Sequence, residues 1–126
     1  EELVKSFHNE KIGYIRHEIN QGAAAARNTG IKIARSDYIA FLDDDVEWFP
    51  QKLELQMKFF KNALPQLGVI YTGFWRIINN KYEYIPSKEM TPASGKIHSV
   101  LLHHNFITSN AVVKKECFQK CGLFDE

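Results

Sequence analysis

Apolar residues recur along this chain with two different periods, and the switches between them mark out its elements. Ile12 to His17 alternates as a short strand, with Ile12, Tyr14 and Arg16 on one side and Gly13, Ile15 and His17 on the other. Asn20-Gln21-Gly22 has turn chemistry, and Ala23 to Ala34 reads as a helix whose Ala23, Ala26 and Gly30 allow close packing on a sheet. Tyr38 to Leu42 is an unbroken apolar run of strand length, the pattern of a strand covered on both faces, and Asp43-Asp44-Asp45 ends it. Pro50 suits the first turn of a helix, and Leu53, Met57, Phe60 and Leu64 follow at helical spacing. Pro65 ends that helix ahead of a strand at Val69 to Thr72. Trp75 to Ile78 and Lys81 to Ile85 flank Asn79-Asn80 as a hairpin. Lys96 to His103 predicts a short helix, Ile107 to Val113 a strand, and Lys114 to Cys121 a last helix closed by Gly122.

Strands alternating with helices predict one α/β domain over residues 1–126, with a mainly parallel sheet flanked by helices and mixed pairing at the hairpin edge. The 126-residue length supports a core that buries about two-thirds of the unfolded surface. Met57 and the phenylalanines read as members of that core. At 44% hydrophobic and 25% charged, the chain is excluded from the disordered and collagenous classes. A formal net charge of +1 argues against a nucleic-acid binder held by phosphate contacts. No apolar run approaches the roughly 20 residues that span a bilayer, and the opening residues lack the pattern of a signal peptide. The ends are abrupt: Glu1 to Phe7 reads as a helix interior, and Gly122 to Glu126 stops without finishing an element. A piece of a longer chain is expected.

Cys117 and Cys121 stand four apart, on one face of a helix if that stretch is helical. His98, His103 and His104 are the nearby candidates for completing a zinc site, at no recognised ligand spacing. The preferred reading is two reduced thiols packed as small hydrophobes in a cytosolic protein.

The aspartate triplet is the candidate chemistry. It lies at the carboxyl end of a strand, where open α/β sheets bind their ligands. Residues two apart project together, so Asp43 and Asp45 share a side and Asp44 points away. Clustered carboxylates repel unless a cation or hydrogen-bond donors neutralise them. Oxygen-only ligands suit Mg²⁺ or Mn²⁺ bridging carboxylates to a diphosphate. The alternative is that the aspartates favour the nearby helix start, or lie in solvent.

Four segments set that triplet in context: Asn20-Gln21-Gly22; Ala26-Arg27-Asn28-Thr29-Gly30-Ile31; Asp37 to Asp45; and Trp48-Phe49-Pro50-Gln51-Lys52-Leu53. Together with Gly122-Leu123-Phe124-Asp125-Glu126, they resemble the family 2 glycosyltransferases of the GT-A fold, over almost the whole chain. That family shows N-x-G, A-R-N-x-G, Y-I-x-F-L-D-x-D, then a Pro and a Leu opening a helix, and G-x-F-D-E. The resemblance implies a GT-A-like, Rossmann-like nucleotide-binding core, truncated at both ends. It implies inverting transfer of a sugar from a nucleotide-diphosphate sugar to a glycan, lipid or other hydroxyl acceptor, in polysaccharide biosynthesis. The location implied is cytoplasmic, with peripheral placement at the inner face of a membrane left open.

By the same resemblance Asp45, with Asp43, would bind Mn²⁺ or Mg²⁺, and Asp43 or Asp44 would meet the ribose or the metal's water shell. Arg27 and Asn28 would flank the nucleotide cleft, Arg27 either as a charge near the phosphates or as a partner of the aspartates. Gly22 would let the loop approach the nucleotide, or serve as a plain turn glycine. The family's first nucleotide-binding strand would precede Glu1 and its catalytic base would follow Glu126, so neither Asp125 nor Glu126 is assigned as the base.

Two rival readings stand beside this one. Leu42-Asp43-Asp44-Asp45-Val46 also fits the first motif of a haloacid-dehalogenase-like phosphatase, with Asp43 as nucleophile, Asp45 as acid/base and Thr72 in a second motif. The other is a non-catalytic nucleotide-sugar-binding fragment.

Overall fold

A computed structural model describes residues 2–87, 93–103, 105–107 and 109–126. The chain forms two compact units, residues 1–33 with 124–126 and residues 34–123.

The first unit holds helices α1 (Glu2–Ser6) and α2 (Gly22–Ile33). The turn residues before α2 act as its cap: the Asn20 side-chain oxygen accepts the Gly22 N–H at 2.9 Å. Gly22 adopts φ +82°, a left-handed conformation that favours glycine. Ala25, Asn28 and Ile31, one turn apart, form the buried stripe of α2. Residues 12–17 run without regular structure, so the strand expected there is absent. Its alternation is present in sequence, but none of the described strands pairs with it.

In the second unit, β1 (Tyr38–Ala40), β2 (Val69–Tyr71) and β5 (Ala111–Lys114) form one sheet in the order β1-β5-β2. Both outer strands pair antiparallel with β5, Ile39 opposite Val113 and Ile70 opposite Val112. The mainly parallel sheet expected from the strand–helix alternation is thus corrected, and so is the Rossmann-like arrangement that the resemblance implied. Strands β1 and β2 do run in the same direction, joined through helix α3 (Lys52–Asn62), but β5 is inserted between them. That insertion pairs residues some seventy positions apart, such as Tyr38 with Lys114, which local periodicity does not register. The central position of β5 explains why Ala111 and Val112, consecutive and facing opposite ways, are both buried.

Strands β3 (Phe74–Ile78) and β4 (Lys81–Ile85) form a separate two-stranded sheet. Asn79 and Asn80 both take positive φ, 50° and 59°, as a two-residue hairpin turn of the right hand requires. Helix α4 (His98–His103) precedes β5, and α5 (Lys115–Cys121) follows it and ends at Gly122, φ 92°.

The apolar core of this unit is Ile39, Phe60, Phe106, Ala111 and Val112. It is smaller than the apolar content predicts, because Phe49, Leu53, Phe59 and Leu64 are exposed. On α3 the inner face carries Gln56 beside Phe60, so the expected apolar stripe is only partly used. Cys117 is half-buried, its Sγ 3.7 Å from the Gly68 carbonyl, and Cys121 is exposed rather than packed as a small hydrophobe. Burial pushes the Cys117 thiol up from its ordinary pKa.

Gly73, which joins β2 to β3, sits under Tyr84: a Cβ there would overlap the tyrosine hydroxyl and ring and meet the Ile85 carbonyl at 3.0 Å. Gly73→Ala is expected to lower stability by about 1–3 kcal/mol, the usual cost of overpacking. Denaturant titration of the two proteins checks it. Equal midpoints would show that the hairpin shifts freely.

Candidate functional site

Three connections meet at one edge of the β1-β5-β2 sheet. β1 ends at Ala40 and β2 at Tyr71, while β5 begins at Ala111, opposite Tyr71. The segment carrying the aspartates, the Thr72-Gly73 link and the approach to β5 therefore share the carboxyl edge of β1 and β2. Ligands of open α/β sheets gather at such an edge.

Asp43 to Val46 forms a tight turn, with the Val46 N–H donating to the Asp43 carbonyl at 3.2 Å. Asp44 and Asp45 occupy its exposed corners and Asp43 is half-buried. The half-buried position of Asp43 sets it apart from its neighbours, so the triplet is more than a uniformly solvated acidic run.

A buried polar network ties the three connections together. Gln56 is 1% exposed, and its amide NH₂ donates to the Ile70 carbonyl at 2.9 Å and the Asn110 carbonyl at 3.1 Å. Its oxygen accepts a hydrogen bond from the Lys52 ammonium at 2.8 Å. Lys52 also lies 4.1 Å from the centre of the Trp48 ring, a cation–π contact, and burial holds its pKa below the ordinary lysine value. The Trp48 indole N–H donates to the Ser109 carbonyl at 3.1 Å. The Asn110 side chain donates to the Thr72 and Phe106 carbonyls, and the Thr72 hydroxyl donates to the Asn110 carbonyl. Every buried side-chain polar atom among the described residues has a partner. Sequence reasoning passed over Gln56 and Asn110; the available signal was a glutamine within an apolar helical stripe.

In the first unit, Asn28 is 2% exposed and serves as a clamp. Its NH₂ donates to the Phe124 carbonyl and to Glu126 Oε1, both at 2.8 Å, and its oxygen accepts the Phe124 N–H at 3.0 Å. Both amide hydrogens are thereby engaged, and the A-R-N-x-G segment holds the F-D-E segment. Arg27 is half-buried on the same helix. Gly22 borders a hollow of about 630 Å³ lined also by Tyr14, Arg16, His17 and Thr29. On its wall the His17 ring nitrogen Nε2 lies 2.9 Å from the Thr29 hydroxyl. Gly22, Arg27 and Asn28 thus belong to the first unit, and Asp43, Asp44 and Asp45 to the second.

Among the described residues, no three His, Cys, Asp or Glu side chains converge as a ready-made metal site. The donors at the turn are carboxylate oxygens with solvent beside them. That set fits a hard cation that takes one or two carboxylates and completes its shell from water and phosphate. No helix among the described residues is long and apolar enough to cross a membrane.

The family profile described as "Glycosyl transferase family 2" matches residues 1–122. An uncharacterized glycosyltransferase of Rickettsia bellii (strain RML369-C) is 48% identical over 125 residues, covering 99% of this chain and 18% of that protein. The UDP-Glc:alpha-D-GlcNAc-diphosphoundecaprenol beta-1,3-glucosyltransferase WfgD of Escherichia coli is 41% identical over 78 residues, 61% of this chain and 29% of that one. WcaA of Escherichia coli (strain K12), a glycosyl transferase provisionally named for colanic acid biosynthesis, is 29% identical over 125 residues, 99% of this chain and 44% of that one. The chain spans less than half the length of each of these relatives. No solved structure gives a significant match.

Asn28→Ala removes the amide that pairs with the Phe124 N–H and carbonyl, and is expected to destabilise the first unit by about 1–3 kcal/mol. Amide hydrogen exchange is the check, with Phe124 exchanging faster in the variant. Unchanged protection at Phe124 would show that the clamp holds nothing.

Proposed function

The chain belongs to glycosyl transferase family 2, and from that membership we propose that it contributes to the transfer of a sugar from a nucleotide-diphosphate sugar to an acceptor hydroxyl. The observation that carries this reading is the place of the Asp43–Val46 turn, just beyond the carboxyl end of β1 and beside the Thr72 and Asn110 connections. The names of two relatives extend it. WfgD points to a uridine-diphosphate sugar and a lipid-linked saccharide acceptor, and WcaA to polysaccharide synthesis.

In this reading Asp45, with Asp43, holds Mn²⁺ or Mg²⁺ on the donor's diphosphate, and Asp44 or Asp43 meets the ribose. The cation, when bound, stabilises the negative charge that develops on the departing nucleoside diphosphate. The turn's backbone hydrogen bond holds the main chain that carries the carboxylates. Gly22 and Arg27 are assigned to the nucleotide side. Asn28 acts there as a positioning residue, since its amide already holds Phe124 and Glu126. Displacement at the anomeric carbon is in line and inverting, and the general base belongs to none of the residues assigned above. With Glu126 bound to Asn28, its carboxylate serves structure. All 126 residues form part of one glycosyltransferase domain in this reading.

Family membership removes the phosphatase alternative. Thr72, its second-motif candidate, donates its hydroxyl to the Asn110 carbonyl. The reading of the chain as a binding fragment without turnover differs from the proposal only in rate, not in ligand.

Calorimetric titration with uridine diphosphate in the presence of Mn²⁺ tests the proposal. Binding is expected to need the metal and to weaken by about tenfold or more in Asp45→Ala, the scale of one lost charge-assisted contact. Metal-independent binding that is unchanged in the variant would overturn the assignment.

A further inference from the structure

We propose that Lys52 is a positioning residue for glycosyl transfer: its ammonium charge, acting through Trp48, holds the segment that carries the aspartates at the sheet edge. What that segment receives rests on the metal and nucleotide reading above, whereas the holding is a property of the free chain.

The aspartate turn is tied at both ends. On the strand side, β1 pairs with β5 and Asp43 follows three residues after its last member, Ala40. On the helix side the tie is Trp48, two residues beyond Val46, whose indole N–H reaches the Ser109 carbonyl at 3.1 Å. Trp48 is half-buried, and the Lys52 ammonium stands 4.1 Å from the centre of its ring. The ammonium is itself fixed, because it donates to Gln56 Oε1 at 2.8 Å. Gln56 is 1% exposed, with its NH₂ on the Ile70 and Asn110 carbonyls. Residues four apart are neighbours on a helix face, so Gln56, Lys52, Trp48 and Ser109 form one run of contacts from the core to the aspartate segment.

Ion pairing does not explain the charge. Among the described residues no carboxylate pairs with Lys52, and burial holds its pKa below the ordinary lysine value. Partly burying an ammonium costs free energy that an apolar side chain of similar length avoids. The ammonium supplies what an apolar stem does not: a donor aimed at Gln56 together with attraction to the indole face. A neutral amide at position 52 keeps a donor for Gln56 and loses the attraction to the ring. Charge and hydrogen bond are therefore separable by substitution.

Amide hydrogen exchange of the ligand-free chain, and calorimetric titration with uridine diphosphate and Mn²⁺, test the proposal in Lys52→Gln, Lys52→Arg and Trp48→Phe. Lys52→Gln is expected to speed exchange of the Val46 amide, the donor of the turn, by about three- to tenfold, the range of a cation–π contact. Ile70 and Val112, in the sheet, keep their rates. Metal-dependent nucleotide binding weakens by a similar factor. Lys52→Arg keeps a cation over the ring and restores both readouts. Trp48→Phe keeps a ring for Lys52 but removes the N–H that reaches Ser109, so it should match Lys52→Gln at Val46. Adding Lys52→Gln to it should change nothing further, as for two residues acting in series. If Lys52→Gln fails to fold, Trp48→Phe still decides, and an unchanged Val46 rate there overturns the proposal. An unchanged Val46 rate in Lys52→Gln overturns it too, as does Lys52→Arg behaving like Lys52→Gln. Equal acceleration at Ile70 and Val112 would assign Lys52 to the packing of α3 instead. Loosening at Val46 with nucleotide affinity equal to the parent's would also overturn it. If the parent chain binds no nucleotide, the metal reading of the aspartates fails, while the exchange rates still decide whether Lys52 holds the turn.

Discussion

The carboxyl edge of the sheet depends on the side-chain amide of Gln56. A buried amide left without partners costs about 1–3 kcal/mol, and Gln56 avoids that cost by joining β2, the approach to β5 and Lys52. Through Lys52 and Trp48 the same network reaches Ser109, and through Asn110 it reaches Thr72. The segment that carries the aspartates, the exit from β2 and the entry to β5 are fixed by shared hydrogen bonds more than by apolar packing. That matters because few of the large apolar side chains near α3 are buried.

In the proposed reading this arrangement separates holding from chemistry. The aspartates stand on a short turn whose corners are exposed, available to a cation and a diphosphate, while polar groups that need no ligand anchor the ends of the segment. Asn28 does comparable structural work in the first unit, where one amide satisfies the backbone of Phe124 and the carboxylate of Glu126. Two of the segments that mark the family are thus joined directly.

The turns and several elements are set by local signals in the sequence. Asn79-Asn80 announces a hairpin because both residues tolerate positive φ, and Gly122 closes α5 for the same steric reason. Helix α2 and strands β1 and β2 follow from periodicity and their breakers. The sheet order was not legible, because the antiparallel placement of β5 arises from partners far apart in sequence. Ile12 to His17 carries strand alternation without a strand partner among the described residues, which alternation cannot reveal. Of the site, the aspartate turn was visible as a triplet at a strand end. Gln56 and Asn110 were hidden, since a polar residue in a core shows its role only once its carbonyl partners are placed.

In the proposed reading this sheet edge, with the aspartate turn at its centre, receives the metal and the nucleotide. Paramagnetic broadening of backbone amide signals by Mn²⁺, added with uridine diphosphate, tests it most directly. The strongest broadening is expected at Asp43 to Val46, then at Thr72, Gly73 and Asn110, with the far end of α5 little affected. Broadening centred on the β3–β4 turn, or spread evenly over the chain, would contradict it.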